Sequence, residues 1–208
     1  MLITGAAGNL GRAVSKAFSD LGDNVVPLDL PTNLLDQAQV DAAVQKAMAQ
    51  FKRIHVLCNI AGGFRMGTPV HETSDKDWNF LLDLNARTVL HTARAVVPHM
   101  ISAGGGKIVN IGAYAAQKGE AQMGAYIASK SAVIRLTETM AAELREKNIN
   151  VNCVLPTIID TPENRAAMPK VDPARWVAPA DLASVIVFLA SDAARAIHGA
   201  AIPVTGLS

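Results

Sequence analysis

Short apolar runs alternate with longer segments of helical period along most of the chain. The runs fall at residues 2–4, 24–28, 55–60, 107–111, 150–155 and 201–204. Each ends at glycine, proline or a polar residue, and several are continuous, as expected of strands that are buried on both faces. The alternation predicts an α/β fold in which helices cover both faces of a parallel sheet.

The clearest helical segment follows the first run. Its apolar residues recur at intervals of three and four positions, and Gly22 closes the stripe. They are Leu10, Ala13, Val14, Ala17, Phe18 and Leu21. Later helices are predicted at 40–51, 75–102, 125–147 and 180–189. The chain therefore begins with a strand, a glycine turn and a helix.

The connection after the second predicted strand is short. Only about four residues precede segment 34–36, which has the composition of a third strand, whereas a parallel crossover needs roughly a dozen residues or more. Either that strand is absent from the sheet or a segment is absent from the chain. Our hypothesis is that a helix of about twenty residues is missing near Pro31.

Length and composition limit the classes of function. With 208 residues and a mass of 21.9 kDa, the chain is predicted to form one domain over 1–208. Half of the residues are apolar, but every apolar run is too short for a membrane helix. A formal charge of +1 favours neither nucleic acid nor a membrane surface. We expect small-molecule substrates and further copies of the chain as partners.

The cysteines and histidines suggest no metal or disulfide framework. Cys58 and Cys153 each lie inside an apolar run, which is typical of buried free thiols in a reducing compartment. The opening residues lack the pattern of a signal peptide. We therefore expect a cytoplasmic protein. The five histidines show no metal-ligand spacing, so no metal site is predicted.

A glycine-rich turn joins the first strand to the first helix. Gly5, Gly8 and Gly11 have the spacing GxxxGxG. Glycines there allow backbone N–H groups to approach a pyrophosphate at the helix N-terminus. The spacing alone is weak, and a plain strand-to-helix turn is the alternative.

Asp29 ends the second predicted strand. A carboxylate at this place can accept hydrogen bonds from the adenosine ribose hydroxyls and would repel a 2′-phosphate. It predicts NAD as the cofactor, with NADP less favoured. A solvated loop aspartate is the alternative interpretation.

Tyr126 and Lys130 are four positions apart on a predicted helix, so their side chains share one face. A lysine ammonium and a nicotinamide cation nearby would favour the tyrosine phenolate and make it a general acid/base. An aromatic residue packed beside a surface lysine is the alternative.

Together, these motifs resemble the short-chain dehydrogenase/reductase family over nearly the whole chain. They are TGAAGNLG at 4–11, NIAGG at 59–63, LNA at 84–86, GKIVNIG at 106–112, YIASK at 126–130, INVNCVLP at 149–156 and the ending HGAAIPVTG. The resemblance implies a single Rossmann-type, doubly wound domain and hydride transfer with a nicotinamide cofactor. It implies Tyr126 as acid/base, Lys130 on the nicotinamide ribose, and Asn85 holding a water in the proton relay.

The resemblance also implies a set of cofactor-binding positions. They are Gly5, Gly8, Asn9, Leu10, Gly11, Asp29, Asn59, Ala61, Gly62, Tyr126, Lys130, Pro156 and Thr161. Thr161 matches the threonine that contacts the nicotinamide amide. Two positions depart from the family pattern: Ile60 replaces an asparagine, and Thr157 replaces a glycine.

A third departure concerns the substrate. The family's substrate-binding serine lies thirteen residues before the tyrosine, and this position is Ala113. At this position the chain is similar to one branch of the family, dihydropteridine reductase. The similarity extends to CNIAGG at 58–63 and to segment 160–176.

A substrate lid is expected around 157–178. Arg165 is a candidate for binding an anionic substrate group; a surface ion pair is the alternative. Trp176 is a further candidate substrate contact, or else a packing residue.

Three functions follow as expectations. The first is an NAD-dependent oxidoreductase acting on a quinonoid dihydropterin or another activated imine or carbonyl. The second is a conventional ketone or alcohol reductase, such as a 3-oxoacyl carrier reductase. The third is a non-catalytic sensor or scaffold that binds NAD(H). The resemblance further implies a homodimer or homotetramer built on the helices at 125–147 and 180–189.

Overall fold

Six parallel strands form one sheet in the computed structural model, which describes residues 1–208. The strands are β1 Leu2–Thr4, β2 Val26–Leu28, β3 Val56–Asn59, β4 Gly106–Ile111, β5 Ile149–Pro156 and β6 Ala201–Val204. Their order across the sheet is β2-β1-β3-β4-β5-β6. Every neighbouring pair is parallel, which confirms the predicted α/β class.

Seven α-helices connect the strands. They are α1 Asn9–Asp20, α2 Gln37–Phe51, α3 Asp75–Leu82, α4 Thr88–Ser102, α5 Gly124–Leu144, α6 Pro162–Ala167 and α7 Pro179–Ala190. The prediction of one helix over 75–102 was wrong, because a π-helical turn at Asp83–Arg87 separates α3 from α4. No helix combines the length and the apolar character that crossing a membrane requires.

The two faces of the sheet bury separate apolar layers. Successive residues of β1 point to opposite faces, so Ile3 joins one layer and Leu2 the other. The first layer packs beneath α1 and α7, with Phe18 and Ile186 among its buried members. The second layer packs beneath α2 and α4. Both faces are thus covered by helices.

The chain crosses directly from β2 to α2. Segment 34–36 is not a strand; Asp36 is instead the N-cap of α2, where its side chain accepts hydrogen bonds from the N–H groups of Ala38 and Gln39. The connection is held against α4, because a ring nitrogen of the buried His91 lies 2.9 Å from the carbonyl oxygen of Leu34. Strand β2 is therefore one edge of the sheet, and β6 is the other.

The order of the strands reverses direction at β1. The chain moves outward from β1 to β2 and then returns across the sheet to β3, on the other side of β1. Ligands of doubly wound sheets bind at such a point, outside the carboxyl ends of the strands. Thr4 ends β1 and is the register partner of Asn59, which ends β3. The candidate site begins at these two residues.

Candidate active site

The glycine turn after β1 is shaped by close backbone contacts. Gly5 has φ +66°, and a Cβ atom there would lie 2.8 Å from the backbone nitrogen of Ala61. A Cβ atom at Gly11 would lie 2.0 Å from the carbonyl oxygen of Gly5. Only glycine fits either position. At Gly8, by contrast, a Cβ atom would meet nothing closer than 3.4 Å, so this side of the turn is open to an approaching ligand.

Two further residues fix the turn. The Asp29 carboxylate accepts a hydrogen bond of 2.7 Å from the N–H of Ala7, which places it beside the loop, as a ribose ligand must be. Leu10, the second residue of α1, packs its side chain into the apolar layer beneath α1. The N-cap residue Gly8 supplies no side chain to the first N–H groups of the helix.

Thr4 connects this turn to the loop that follows β3. Its hydroxyl oxygen accepts hydrogen bonds from the N–H groups of Ile60, at 3.0 Å, and Ala61, at 3.1 Å. Thr4 is not among the site residues that the sequence predicts. Its place directly before the first glycine of the turn was the available signal.

Asn59 belongs to a buried network of polar side chains. Its Nδ2 donates to the Oδ1 of Asn110 over 2.8 Å, and its Oδ1 accepts from the Thr92 hydroxyl over 2.8 Å. The Nδ2 of Asn110 donates to the Thr137 hydroxyl over 2.9 Å. The Asn59 side chain is thus committed to holding β3, β4, α4 and α5 together, so its part in the site is to position the loop.

Asn85 lies inside the π-helical turn and is buried. Its Oδ1 accepts from the N–H of Gly63 over 2.9 Å, and its Nδ2 donates to the carbonyl of Gly63 over 3.0 Å. The same Nδ2 lies 2.9 Å from the hydroxyl oxygen of Ser129, one residue before Lys130. Asn85 therefore links the loop after β3 to the helix of the predicted acid/base. A relay water at this residue stays a prediction.

Tyr126 and Lys130 lie on successive turns near the start of α5. Lys130 is buried, and its Nζ donates a hydrogen bond of 2.8 Å to the carbonyl of Ile111, the last residue of β4. A Cβ atom at Gly62 would lie 2.8 Å from the Oδ1 of Asn85 and 3.2 Å from the Lys130 Nζ. The structure thus brings Gly62, Asn85 and Lys130 into one cluster.

Ala113 lies two residues beyond β4 and is 4% exposed. It belongs to an apolar cluster with Val133 and Leu155, and the ring of Tyr126 packs against the same cluster. The position of the family's serine therefore lies in the apolar cluster that Tyr126 packs against, and it carries no hydrogen-bond donor.

Phe64 lies directly after Gly63 on the loop that follows β3, and it is not among the site residues that the sequence predicts. Its ring meets the ring of Tyr126 edge to face, with centroids 4.8 Å apart and planes at 84°. An aromatic residue directly after the NIAGG motif was the only signal in the sequence.

The segment predicted as a lid follows β5, which ends at Pro156. Thr161 is the N-cap of α6, and its hydroxyl accepts from the N–H of Asn164 over 3.2 Å. Arg165 forms two hydrogen bonds with the Asp160 carboxylate, at 2.6 and 2.7 Å. Arg165 thus forms the surface ion pair that the sequence left as the alternative. A role for Arg165 in binding an anionic substrate stays a prediction. Trp176 is 5% exposed, and its indole N–H has no partner.

Comparisons with known proteins identify the family. A family model described as enoyl-(acyl carrier protein) reductase matches residues 2–206. The chain is 32% identical over 236 aligned positions to the D-threitol dehydrogenase of Mycolicibacterium smegmatis, covering 99% of this chain and 90% of that enzyme. It is also 32% identical over 235 positions to the 3-oxoacyl-[acyl-carrier-protein] reductase FabG of Thermotoga maritima, covering 99% and 95%. The chain belongs to the short-chain dehydrogenase/reductase family.

Solved structures of similar short-chain dehydrogenases contain either cofactor. The carveol dehydrogenase of Mycobacterium avium, in complex with NAD, has a TM-score of 0.87 and 26% identity, covering 99% of this chain and 95% of that chain. ElxO with NADP bound has a TM-score of 0.91 and 25% identity, covering 99% and 96%. This short-chain dehydrogenase/reductase is thus an NAD(P)-dependent oxidoreductase, and the comparisons leave the choice between NAD and NADP open.

The loops of this short-chain dehydrogenase/reductase fit a dinucleotide. The glycine turn leaves its Gly8 side open, the first N–H groups of α1 have no side-chain cap, and Asp29 lies beside the turn. Such a helix N-terminus favours a pyrophosphate. The nicotinamide would supply or accept the hydride. The residues of the chain would hold the dinucleotide, and Tyr126, one turn before Lys130 on α5, is the predicted acid/base.

Burial dominates the ionisation of the acid/base pair in this short-chain dehydrogenase/reductase. It raises the pKa of Tyr126 to about 12 and lowers the pKa of Lys130 to about 8. Without a cofactor, burial alone accounts for the raised pKa of Tyr126, so Lys130 does not bring the tyrosine into working range. The sequence could not indicate this, since both shifts depend on how deeply α5 is packed.

The lowered pKa of Lys130 predicts a pH-dependent stability. Below about pH 8, both the folded and the unfolded protein bind the proton, and the cost of burying the charge is present in full. Between about pH 8 and 10.5, the unfolded chain binds more protons, so the free energy of unfolding rises with pH. We expect wild type to gain about 2 kcal/mol relative to Lys130→Met between about pH 7.5 and 9.5.

Urea unfolding of both proteins across this pH range measures the gain. Taking the difference between them cancels the contributions of Tyr126 and Cys58, which wild type and variant share. The exposed Lys147 provides the control, since Lys147→Met should run parallel to wild type. Parallel curves for Lys130→Met would show that the ammonium is hydrated in the folded protein.

Proposed function

We propose that this short-chain dehydrogenase/reductase uses NADH to reduce a planar, electron-poor C=N or C=O group, with a quinonoid dihydropterin as the model substrate. Tyr126 delivers the proton, and Lys130 holds the nicotinamide ribose. The observation that carries the proposal is Ala113, which has no hydrogen-bond donor and is buried in the apolar cluster that Tyr126 packs against.

The missing donor restricts the substrate by its reactivity. Removing one such donor from an acyl or carbonyl site typically costs about 100 to 1000-fold in rate. An unactivated ketone depends on that donor to polarise its carbonyl, whereas a conjugated quinonoid imine is already electron-poor and accepts hydride more readily. The alanine is therefore tolerable for an activated acceptor and costly for a ketone.

Phe64 supports a flat substrate. Its ring contacts Tyr126 and is still 55% exposed, so it offers an aromatic surface beside the acid/base. Tyr114, one residue after Ala113, is 43% exposed. Aromatic rings bind planar groups by stacking, without a hydrogen bond to the reacting atom. Stacking on these rings can thus orient a planar substrate to which Ala113 donates no hydrogen bond.

A conventional ketone or alcohol substrate is the second candidate. It is favoured by the relatives, which include a D-threitol dehydrogenase and a 3-oxoacyl-[acyl-carrier-protein] reductase, each 32% identical. In this case Tyr126 alone would polarise the carbonyl. Because these relatives are enzymes, the comparisons favour both candidates over a non-catalytic NAD(H) sensor.

Oxidation of NADH separates the two candidates. Wild type is compared with Ala113→Ser and Tyr126→Phe, using quinonoid dihydropterin and, separately, an acetoacetyl thioester. We expect dihydropterin turnover that falls at least about 100-fold in Tyr126→Phe and is not increased by the serine.

The thioester arm gives the contrary outcome. Turnover of the thioester that appears or rises about 100-fold only in Ala113→Ser would mean that the native site is an impaired ketone reductase. Dihydropterin turnover that persists in Tyr126→Phe would remove Tyr126 from the proton transfer. Either result contradicts the proposal.

The preference for NAD rests on Asp29. Its carboxylate is held against the glycine turn by the Ala7 N–H, and a 2′-phosphate in its place would meet a negative charge. We expect Asp29→Ala to reduce the ratio of NADH to NADPH affinity by roughly ten-fold or more, mainly through tighter NADPH binding. Asp23→Ala, an exposed change before β2, is the control. An unchanged ratio would assign cofactor choice to another residue.

We also propose that the chain forms a homodimer or homotetramer through α5 and α7. Phe188 of α7 is 45% exposed, and Leu136 and Met140 of α5 are only partly buried, whereas Val133 and Leu144 belong to the core. We expect sedimentation at micromolar concentration to give a dimeric or tetrameric mass, and Phe188→Asp to lower it. A monomeric wild type would refute this assembly.

A further inference from the structure

Glu163 of the lid reaches the glycine turn. It lies in the first turn of α6, and its Oε2 accepts a hydrogen bond of 2.7 Å from the Nδ2 of Asn9, the first residue of α1. The two residues are distant in sequence, and this hydrogen bond joins the segment after β5 directly to the turn after β1. Glu163 is not among the site residues that the sequence predicts.

Arg12 fixes the orientation of Asn9. Its guanidinium donates to the Oδ1 of Asn9 over 2.8 Å and to the carbonyl of Ala7 over 2.6 Å. With its oxygen occupied by Arg12, the Asn9 amide presents its N–H donors toward Glu163. Arg12, Asn9 and Glu163 are therefore linked in series by hydrogen bonds, from α1 to α6.

Glu163 carries its negative charge at neutral pH. Its pKa is lowered, first because its own backbone N–H bonds to the carboxylate, and further by Thr161, Asn9 and the nearby charge of Arg12. The first N–H groups of α1, which favour a pyrophosphate, begin at Asn9 itself. A carboxylate bonded to Asn9 thus lies where a second anion has to approach.

We propose that Glu163 limits cofactor affinity, because its carboxylate occupies the Asn9 side of the pyrophosphate site and must leave when a dinucleotide binds. Two effects follow. The charge of Glu163 weakens binding of any ligand with a pyrophosphate at this turn, and binding releases α6 from the turn. The inference rests on dinucleotide binding at the glycine turn and is independent of the substrate. It is also independent of the choice of cofactor, since NADH and NADPH both carry the pyrophosphate.

The test measures binding without turnover. NADH, ADP and adenosine are titrated into wild type and Glu163→Gln at low and high salt, with NADH followed by fluorescence and the other two ligands by calorimetry. The glutamine keeps the size of the side chain and can still accept from Asn9, so only the charge changes. We expect Glu163→Gln to bind NADH and ADP roughly three to ten-fold more tightly at low salt, with the advantage shrinking at high salt as charges are screened. Adenosine, which has no phosphate, should bind both proteins equally.

The control and the contrary outcomes are specific. Glu143 on α5 is exposed and makes no ion pair, so Glu143→Gln should bind all three ligands as wild type does. Unchanged NADH binding by Glu163→Gln would overturn the inference. Weaker binding would also overturn it, because it would mean that the Glu163 carboxylate contacts the cofactor favourably. An equal gain for adenosine would also overturn it. If the proposed reduction is wrong, the protein still binds NADH but does not oxidise it with the tested substrates. The affinities do not depend on turnover, so the proteins can still be compared.

Discussion

The hydroxyl of Thr4 holds together the two loops from which the site is built. By accepting two consecutive N–H groups after β3, it fixes the NIAGG loop against the end of β1. The backbones then approach so closely that no side chain fits at Gly5. The strand order of the sheet reverses at this place, where ligands of doubly wound sheets bind. Thr4 therefore fixes the two loops relative to each other at the candidate site.

Buried polar side chains beneath the loops of the site are all hydrogen-bonded. Asn59, Asn110, Thr92 and Thr137 form a closed set of hydrogen bonds among four elements, and Lys130 is bonded to the last carbonyl of β4. Unpaired groups at this depth would cost stability, and a fully satisfied network is rigid. The lid, by contrast, touches the turn through the hydrogen bond that Asn9 donates to the exposed Glu163 carboxylate.

Much of the fold could be predicted from the sequence, because glycine and proline mark the ends of its strands. The bounds of β1 and β6 agree with the predicted runs to the residue. The break at Asp83–Arg87 was missed, since a π-helical turn adds a residue without interrupting the apolar pattern. Helix α6, only six residues long, is too short to show a period, although Thr161 and Pro162 are ordinary start signals.

The candidate site was predictable in its residues and less so in its energetics. Sequence spacing puts Tyr126 and Lys130 on one face of a helix, and the structure has both near the start of α5. Their catalytic roles, and the substrate role of position 113, stay predictions. The pKa shifts, the clamp at Thr4 and the contact of Glu163 with Asn9 arise between elements that are far apart in sequence. No local pattern reports such contacts, because they depend on how the helices pack over the sheet.

An open sheet has two edge strands, and here both of them carry a proline. Pro27 lies in the middle of β2, and Pro203 lies within β6; both side chains are exposed. A proline has no N–H to offer, so a strand from another molecule cannot extend the hydrogen-bond ladder past it. An exposed edge strand normally invites edge-to-edge aggregation. Here a proline interrupts the ladder at each edge, so the sheet resists such pairing at high protein concentration.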